Sequence, residues 1–299
     1  MAVISSVRPS RIAGTWYLGK PQALARAVDE YIDRAELPEL PGELVAVIAP
    51  HAGHIYSGPV AGYAFAAVRS ETIRRVAHGK PFDLAAVISP MHQPYFEPLL
   101  TTAHDAYSTP LGEVPVDKDS LAALDAALHA RLGYGLTAVS YDQEHSLEIE
   151  LPFLQRALAS DFKLLPVMVR SQAPKAIEAL GAALAEVLKD RNTLLVASTD
   201  LSHFKDQSTA KELDSEMLRC FESFSPEAIF QAEKTGKGQA CGHAAVAAVL
   251  WAAKALGADT VRVLHHATSG DVTGDYSQVV GYGAAVVLKS TTDKQYEHR

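Results

Sequence analysis

The stretch Leu44-Val45-Ala46-Val47-Ile48-Ala49-Pro50-His51-Ala52-Gly53-His54-Ile55-Tyr56-Ser57-Gly58 decides how the rest of the chain is read. Leu44 to Ile48 is an apolar, β-branched run, the pattern of a buried strand. Just past it come a proline, two histidines and two glycines, a composition that stops a strand and suits a loop holding imidazoles in place. In open α/β sheets, ligands bind beyond the carboxyl ends of the strands. His51 and His54 therefore stand where chemistry is usually done. Taken alone, the segment reads equally well as a glycine-rich turn with incidental histidines.

The same pattern recurs. Leu84 to Ile88 runs into Ser89-Pro90-Met91-His92-Gln93-Pro94, and Thr193 to Ser198 runs into Thr199-Asp200-Leu201-Ser202-His203-Phe204. Phe162–Val169, Val261–Leu264 and Val279–Leu288 complete the expected strands. Helical spacing is expected over Pro21–Ala35, Pro59–Val68, Asp119–Leu132, Pro174–Lys189, Lys211–Phe224 and His243–Leu256, with Pro59 in a first turn and Asp117 or Asp119 as a cap. Such alternation predicts an α/β fold with a mainly parallel central sheet and helices on both faces. No repeat or linker divides the chain, so residues 1–299 are expected to form one domain. Tyr95 to Asp117 looks irregular and is expected as a lid or pocket wall.

Composition narrows the function classes. With a formal net charge of -8 and no basic cluster beyond short pairs such as Arg74-Arg75, a nucleic-acid partner is not expected. Two cysteines, Cys220 and Cys241, imply no disulfide framework and fit a reducing setting. Met1 to Pro9 lacks the pattern of a secretory leader, and the apolar helix Ala244–Leu256 is too short to span a bilayer. A cytoplasmic protein without a membrane partner is expected.

Three strand signals ending at His51, at His92 and at Asp200 and His203 would place imidazoles on one edge of the sheet, provided the strands are neighbours. Two neutral imidazoles commonly begin a divalent metal site. Cys241 precedes an Ala-rich helix, whose N-terminus favours thiolate, the form that ligates metals. Cys220 reads as inert. Asp200 beside His203 suits a carboxylate that orients a general acid/base. In Gln143–Phe153, Glu144 and Glu148 would share a helix face; Glu148 and Glu150 read as a solvated acidic face, whereas Glu144 and His145 can reach the pocket.

On these residues the chain resembles the Memo family, whose prokaryotic members are called AmmeMemoRadiSam system protein B. The resemblance covers nearly the whole chain. It includes Ala13-Gly14-Thr15-Trp16-Tyr17, the Pro50–Gly58 loop, Ser89-Pro90-Met91-His92, Tyr107–Gly112, Glu144–Glu148 with Leu151-Pro152-Phe153, Ser198–His203 and Cys241-Gly242. That family is similar to class III extradiol dioxygenases, non-haem iron enzymes that open catechol rings. The resemblance implies metal ligands at His51, His92 and Cys241, an acid/base at His203, and a pocket lined by Trp16 and Tyr56. His54, expected with Glu144 and His145 as a further substrate-binding residue of that pocket, stands where Tyr is common, Gln93 where a second His is frequent, and His243 where Arg is frequent. The dioxygenases use a carboxylate as third ligand; a thiolate also suits copper or zinc.

Two function classes follow. One is an iron(II)-dependent, dioxygenase-like oxidoreductase acting on a small, phenolic molecule. The other is a metal- or peptide-binding adaptor on the same scaffold, as the signalling adaptors among eukaryotic relatives imply, with a zinc hydrolase as a weaker option. The family name also implies a functional link to radical SAM and AMMECR-type proteins.

Overall fold

The protein is described by a computed structural model over residues 6–158 and 160–290. A short strand β1 (Val7–Arg8) and helix α1 (Pro21–Asp33) precede β2 (Glu43–Ala49), α2 (His54–Ala77) and β3 (Leu84–Pro90). Three short strands follow, β4 (Leu99–Thr102), β5 (Ala106–Thr109) and β6 (Gly112–Pro115), then α3 (Lys118–Leu132) and β7 (Thr137–Val139). A 3-10 turn at Glu148–Glu150 leads into α4 (Leu151–Leu158), β8 (Lys163–Val169), α5 (Pro174–Leu188), β9 (Thr193–Ser198) and β10 (His203–Lys205). The chain continues through α6 (Gln207–Glu222), α7 (Pro226–Thr235) and α8 (His243–Ala255) to β11 (Thr260–Thr268), the one-turn α9 (Gly270–Thr273) and β12 (Val279–Lys289).

The large sheet runs β10-β12-β2-β9-β3-β8-β4-β7, with β11 also paired to β12. Its centre, β2, β9, β3 and β8, is parallel; β12 and β4 join antiparallel at either side. Registers Ile48↔Ala197 and Ala197↔Ile88 align the carboxyl ends of β2, β9 and β3 at one edge. Strand β3 is buried throughout, as expected of a parallel strand covered on both faces. Helix α2 packs on β2, β12 and β11 beside α1 and α4; α8 packs on β9, β3 and β2 beneath α5 and α7. The small side chains of α8 follow from that position, since a helix buried nearly all round has no polar face to keep.

Four expectations change. Helix α2 starts at His54 rather than Pro59, so Pro59 lies inside the helix; its missing N–H falls opposite the carbonyl of solvent-exposed Ile55. Tyr95–Asp117 holds β4, which extends the large sheet, and the β5–β6 hairpin, which forms a small sheet with β1, rather than irregular chain. Glu144 precedes the 3-10 turn and does not share a helix face with Glu148. Glu148 and Glu150 are buried, not solvated, because partners from remote parts of the chain close over them. No helix among the described residues is long and apolar enough to cross a membrane; Met1 to Ser5, part of the leader reading, lie outside those residues.

Candidate metal centre

His51 follows β2, His92 follows β3, and β9 lies between them, so the sheet order itself puts the two imidazoles on one edge. Cys241 arrives from the turn before α8. Gly242 lets that turn close on the end of β9, because a Cβ there would lie 2.3 Å from the Ser198 carbonyl oxygen. Reciprocal contacts hold the turn: the Cys241 N–H donates to the Asp200 carbonyl at 3.2 Å, and the Asp200 N–H points to Cys241 Sγ at 3.3 Å. One ligand atom from each of His51, His92 and Cys241 lies within 4.8 Å of the others. A tetrahedral centre with bonds of ~2.0–2.3 Å spaces its donors by roughly 3.5 Å, so a small contraction would close the set on a cation.

Each imidazole is held through its other nitrogen. His51 Nδ1 lies 2.9 Å from Ser198 Oγ, and His92 Nδ1 lies 2.9 Å from Glu144 Oε1. This is the support that metal-bound histidines usually have, fixing ring direction and tautomer. His51 Nε2 meets Cys241 Sγ at 3.1 Å. Burial, reinforced by neighbouring His145 and His92, holds the His51 pKa well below the ordinary histidine value, leaving the ring neutral. Burial and the nearby Asp200 push the Cys241 thiol up, which corrects the expectation of a free thiolate: α8 begins at the next residues, yet enclosure outweighs its dipole. A metal binding here would displace the thiol proton.

Glu144, His92 and His145 form a second close group. Its carboxylate is already taken: Oε2 accepts the His92 N–H at 2.6 Å, while Oε1 faces His92 Nδ1 and accepts the N–H groups of His145 and Ser146, both at 3.0 Å. Burial opposes its charge, but these donors, His92 foremost, hold it below the usual carboxylate range. Glu144 thus stands behind His92 as its orienting carboxylate rather than against the cleft. His145 stacks on His92 at 4.8 Å and meets the tilted ring of Trp16 at 4.3 Å; burial lowers its pKa to about 4.

Asp200 is placed differently from its expected role. Its Oδ1 accepts the N–H groups of His51 at 2.7 Å and Ala52 at 3.3 Å, so it ties down the His51 loop. Its Oδ2 lies 4.0 Å from both His51 Nε2 and His203 Nε2, too far to bond either ring. Burial raises the Asp200 pKa to about 7. His203 Nε2 is buried with no partner among the described residues, and burial lowers its pKa.

A cleft of about 500 Å3 is lined by Trp16, Ala52, Tyr56, Phe204 and Tyr282 among others, the chain neighbours of His51 and His203 rather than the cluster itself. Trp16 and Tyr56 thus line one space. His54 does not: it enters the interior between Tyr17, Tyr31 and Phe153, bonds the Ile149 carbonyl through Nε2, and has its pKa lowered to about 4 by burial. As the first residue of α2 it faces the core, which removes it from the substrate-binding set. A larger cleft, about 710 Å3, between Asp83, Lys163 and Arg191 lies at the amino ends of the strands, away from the histidines.

Three residues that support the cluster escaped the sequence reading. Ser198 and Glu150 lie behind His51, and Glu148 anchors the segment that carries Trp16. Glu148 Oε1 accepts from Ser10 Oγ at 2.5 Å and Tyr17 Oη at 2.9 Å, and Oε2 from Arg8 Nη1 at 2.6 Å and the Arg11 N–H at 3.0 Å. Arg8 also pairs with Asp142 and donates to the Glu144 carbonyl at 2.8 Å, coupling this anchor to the His92 support. The visible signal was Leu147-Glu148-Ile149-Glu150-Leu151, acids alternating with large apolar residues.

Fold and site together define an α/β protein, consistent with an extradiol-dioxygenase-like fold, with a potential metal-binding His/Cys group at the carboxyl edge of its sheet. A family profile described as Memo-like protein matches residues 8–286. The chain is 35% identical over 291 residues to a MEMO1 family protein of Thermotoga neapolitana, covering 94% of this chain and 99% of that one. It is 33% identical over 282 residues to one of Nitrosopumilus maritimus, covering 93% and 98%. A relative from Methanopyrus kandleri is 32% identical over 288 residues, again covering 93% and 98%. The chain belongs to the Memo family.

Proposed function

We propose that this protein binds a divalent transition metal through His51, His92 and Cys241, iron(II) first among the candidates, and uses it in dioxygenase-like oxidation of a small phenolic substrate. The observation that carries the reading is the convergence of three donor atoms within 4.8 Å, with each imidazole held through its remote nitrogen. Two imidazoles and a thiol fit iron, copper or zinc, and His92 lies toward solvent, where the site can load and exchange. When bound, the metal would acidify a coordinated hydroxyl and mediate electron transfer to oxygen. His203, neutral and with an unpartnered Nε2, is the base that accepts the hydroxyl proton and later returns it. Trp16 and Tyr56 supply aromatic walls for a single ring. Asp200 keeps the His51 loop in place. Its two free cysteines suit the reducing cytoplasm, where we place it.

The test is anaerobic loading with iron(II), followed by metal analysis and oxygen uptake with a panel of catechols. Stoichiometric iron in the wild type, strongly reduced iron in His51→Ala and Cys241→Ala, and uptake abolished in His203→Ala are expected. Equal metal in wild type, His51→Ala and Cys241→Ala would overturn the ligand set; loaded protein inert to every catechol would overturn the reaction. Exposed Ile55, Tyr56 and Phe204 around the cleft favour one other reading, a peptide-binding module without turnover. In that case His203→Ala leaves peptide affinity unchanged and no substrate is consumed. Zinc in protein purified without oxygen would favour hydrolysis instead.

A further inference from the structure

Ser198 Oγ is the meeting point of three polar atoms. It lies 2.7 Å from the Ser146 carbonyl oxygen, 2.7 Å from Glu150 Oε1 and 2.9 Å from His51 Nδ1. Ser198 and Ser146 are wholly buried and Glu150 is 1% exposed, so water does not enter this count. A hydroxyl has one hydrogen to donate and two lone pairs to accept with. The Ser146 carbonyl can only accept. If the hydroxyl hydrogen went to Glu150 instead, two oxygens would face each other at 2.7 Å with no hydrogen between them. With the hydrogen on the carbonyl side, Oγ must accept from both remaining neighbours. Glu150 then carries a proton on Oε1, and His51 carries one on Nδ1.

The surroundings of Glu150 agree. Its Oε2 has no hydrogen-bond partner among the described residues, and no cation bonds the carboxyl group. An ionised carboxylate closed off from water with a single donor is strongly disfavoured, whereas a carboxylic acid needs only one acceptor. Burial pushes its pKa well above the ordinary value, and the nearby Asp200 adds in the same direction. With Nδ1 protonated, neutral His51 has its lone pair on Nε2, the atom 3.1 Å from Cys241 Sγ. The thiol hydrogen fits that contact, the shorter of the two open to it, the other being the Asp200 carbonyl at 3.7 Å.

We infer that Glu150 is a positioning residue: a neutral carboxylic acid that, through the Ser198 hydroxyl, locks His51 in the Nδ1–H tautomer and presents Nε2 to the ligand cluster. Its consequence for metal affinity rests on the reading above; the tautomer itself does not. The side chain touches neither substrate nor metal and acts only through Ser198.

The metal-free wild-type protein carries the first test. With glutamate alone 13C-labelled, so that Asp200 is silent, the Glu150 carboxyl carbon is expected to keep the chemical shift of a protonated acid at pH 7. Nitrogen-15 NMR of the imidazoles is expected to show His51 protonated at Nδ1. An ionised Glu150, or a His51 protonated at Nε2, would overturn the inference without any variant needing to fold. Glu150→Gln, whose amide N–H can donate to Ser198 as the acid does, is expected to keep the Nδ1–H tautomer. Ser198→Ala is expected to release it into a mixture. Where metal binds, Ser198→Ala should lower affinity roughly 10- to 100-fold and Glu150→Gln should stay close to wild type. Equal losses in the two variants would overturn the inference; no metal binding in any protein would overturn the ligand set while the tautomer result stands.

Discussion

Glu148 and Glu150 stand two residues apart on the same 3-10 turn, both closed off from water, and the fold treats them in opposite ways. Glu148 faces the Arg8 guanidinium, two hydroxyls and backbone N–H groups, all able to donate. It is a carboxylate whose charge is answered from several directions. Glu150 faces one hydroxyl and an unanswered interior, and is accommodated as a neutral acid. Burial alone therefore does not set the state of a carboxyl group; the supply of donors around it does. The division matches their tasks. Glu148 ties the segment carrying Trp16 to the domain, and Glu150 stands behind His51.

The comparison breaks most readily at Arg8. Arg8→Ala leaves Glu148 and Asp142 buried without their cation, and is expected to cost about 3–5 kcal/mol of stability in urea unfolding. A loss below about 1 kcal/mol would mean that the network is not answering the Glu148 charge.

A smaller effect is expected at His54, which bonds the carbonyl of Ile149, the residue between the two acids. Burial holds its pKa at about 4 against 6.5 for the exposed group, so between these values the unfolded chain binds a proton that the folded one refuses. Stability is full above pH 6.5 and falls as the pH drops through that window. Wild type should lose about 2 kcal/mol from this site between pH 7 and pH 5. His54→Phe, which suits the pocket of Tyr17, Tyr31 and Phe153, should remove that part of the slope; identical slopes in the two proteins would place His54 in water. His145, shifted the same way, remains in both and cancels.

The smallest effect belongs to Glu150→Gln. Wild-type Glu150 keeps its proton in the fold while the unfolded chain releases it above about pH 4.5, so this site lowers stability as the pH rises. The variant cannot ionise, and its stability relative to wild type should increase by about 1 kcal/mol between pH 5 and pH 6. A relative decrease would mean that Glu150 is ionised in the fold.

Much of this architecture was legible from local patterns. Parallel strands buried on both faces must be continuous apolar runs, and Ala46–Ala49, Leu84–Ile88 and Leu194–Ala197 are such runs. Helix bounds followed at α3, where Asp117 accepts the Ser120 N–H as the expected cap. They failed at α2, where Pro59 masked a start at His54, at α6, which Asp206 caps so that it begins at Gln207 rather than Lys211, and at β4 to β6, whose four-residue strands carry too little periodicity to read. Asp200 was seen as a partner for His203 because the two are near in sequence, yet backbone N–H groups of a distant loop claim its oxygen.

By itself, then, the sequence determined the α/β alternation and the identity of the residues that end each strand, because both are written in short-range apolar periodicity and turn chemistry. Only the tertiary structure decided that β9 lies between β2 and β3, that Cys241 closes on His51 across 190 residues of chain, and that His54 turns inward. It also decided which donors surround Glu148 and how few surround Glu150. The reason is common to all of these: strand order, burial and the supply of hydrogen-bond donors are set by residues remote in the chain, which no local pattern contains.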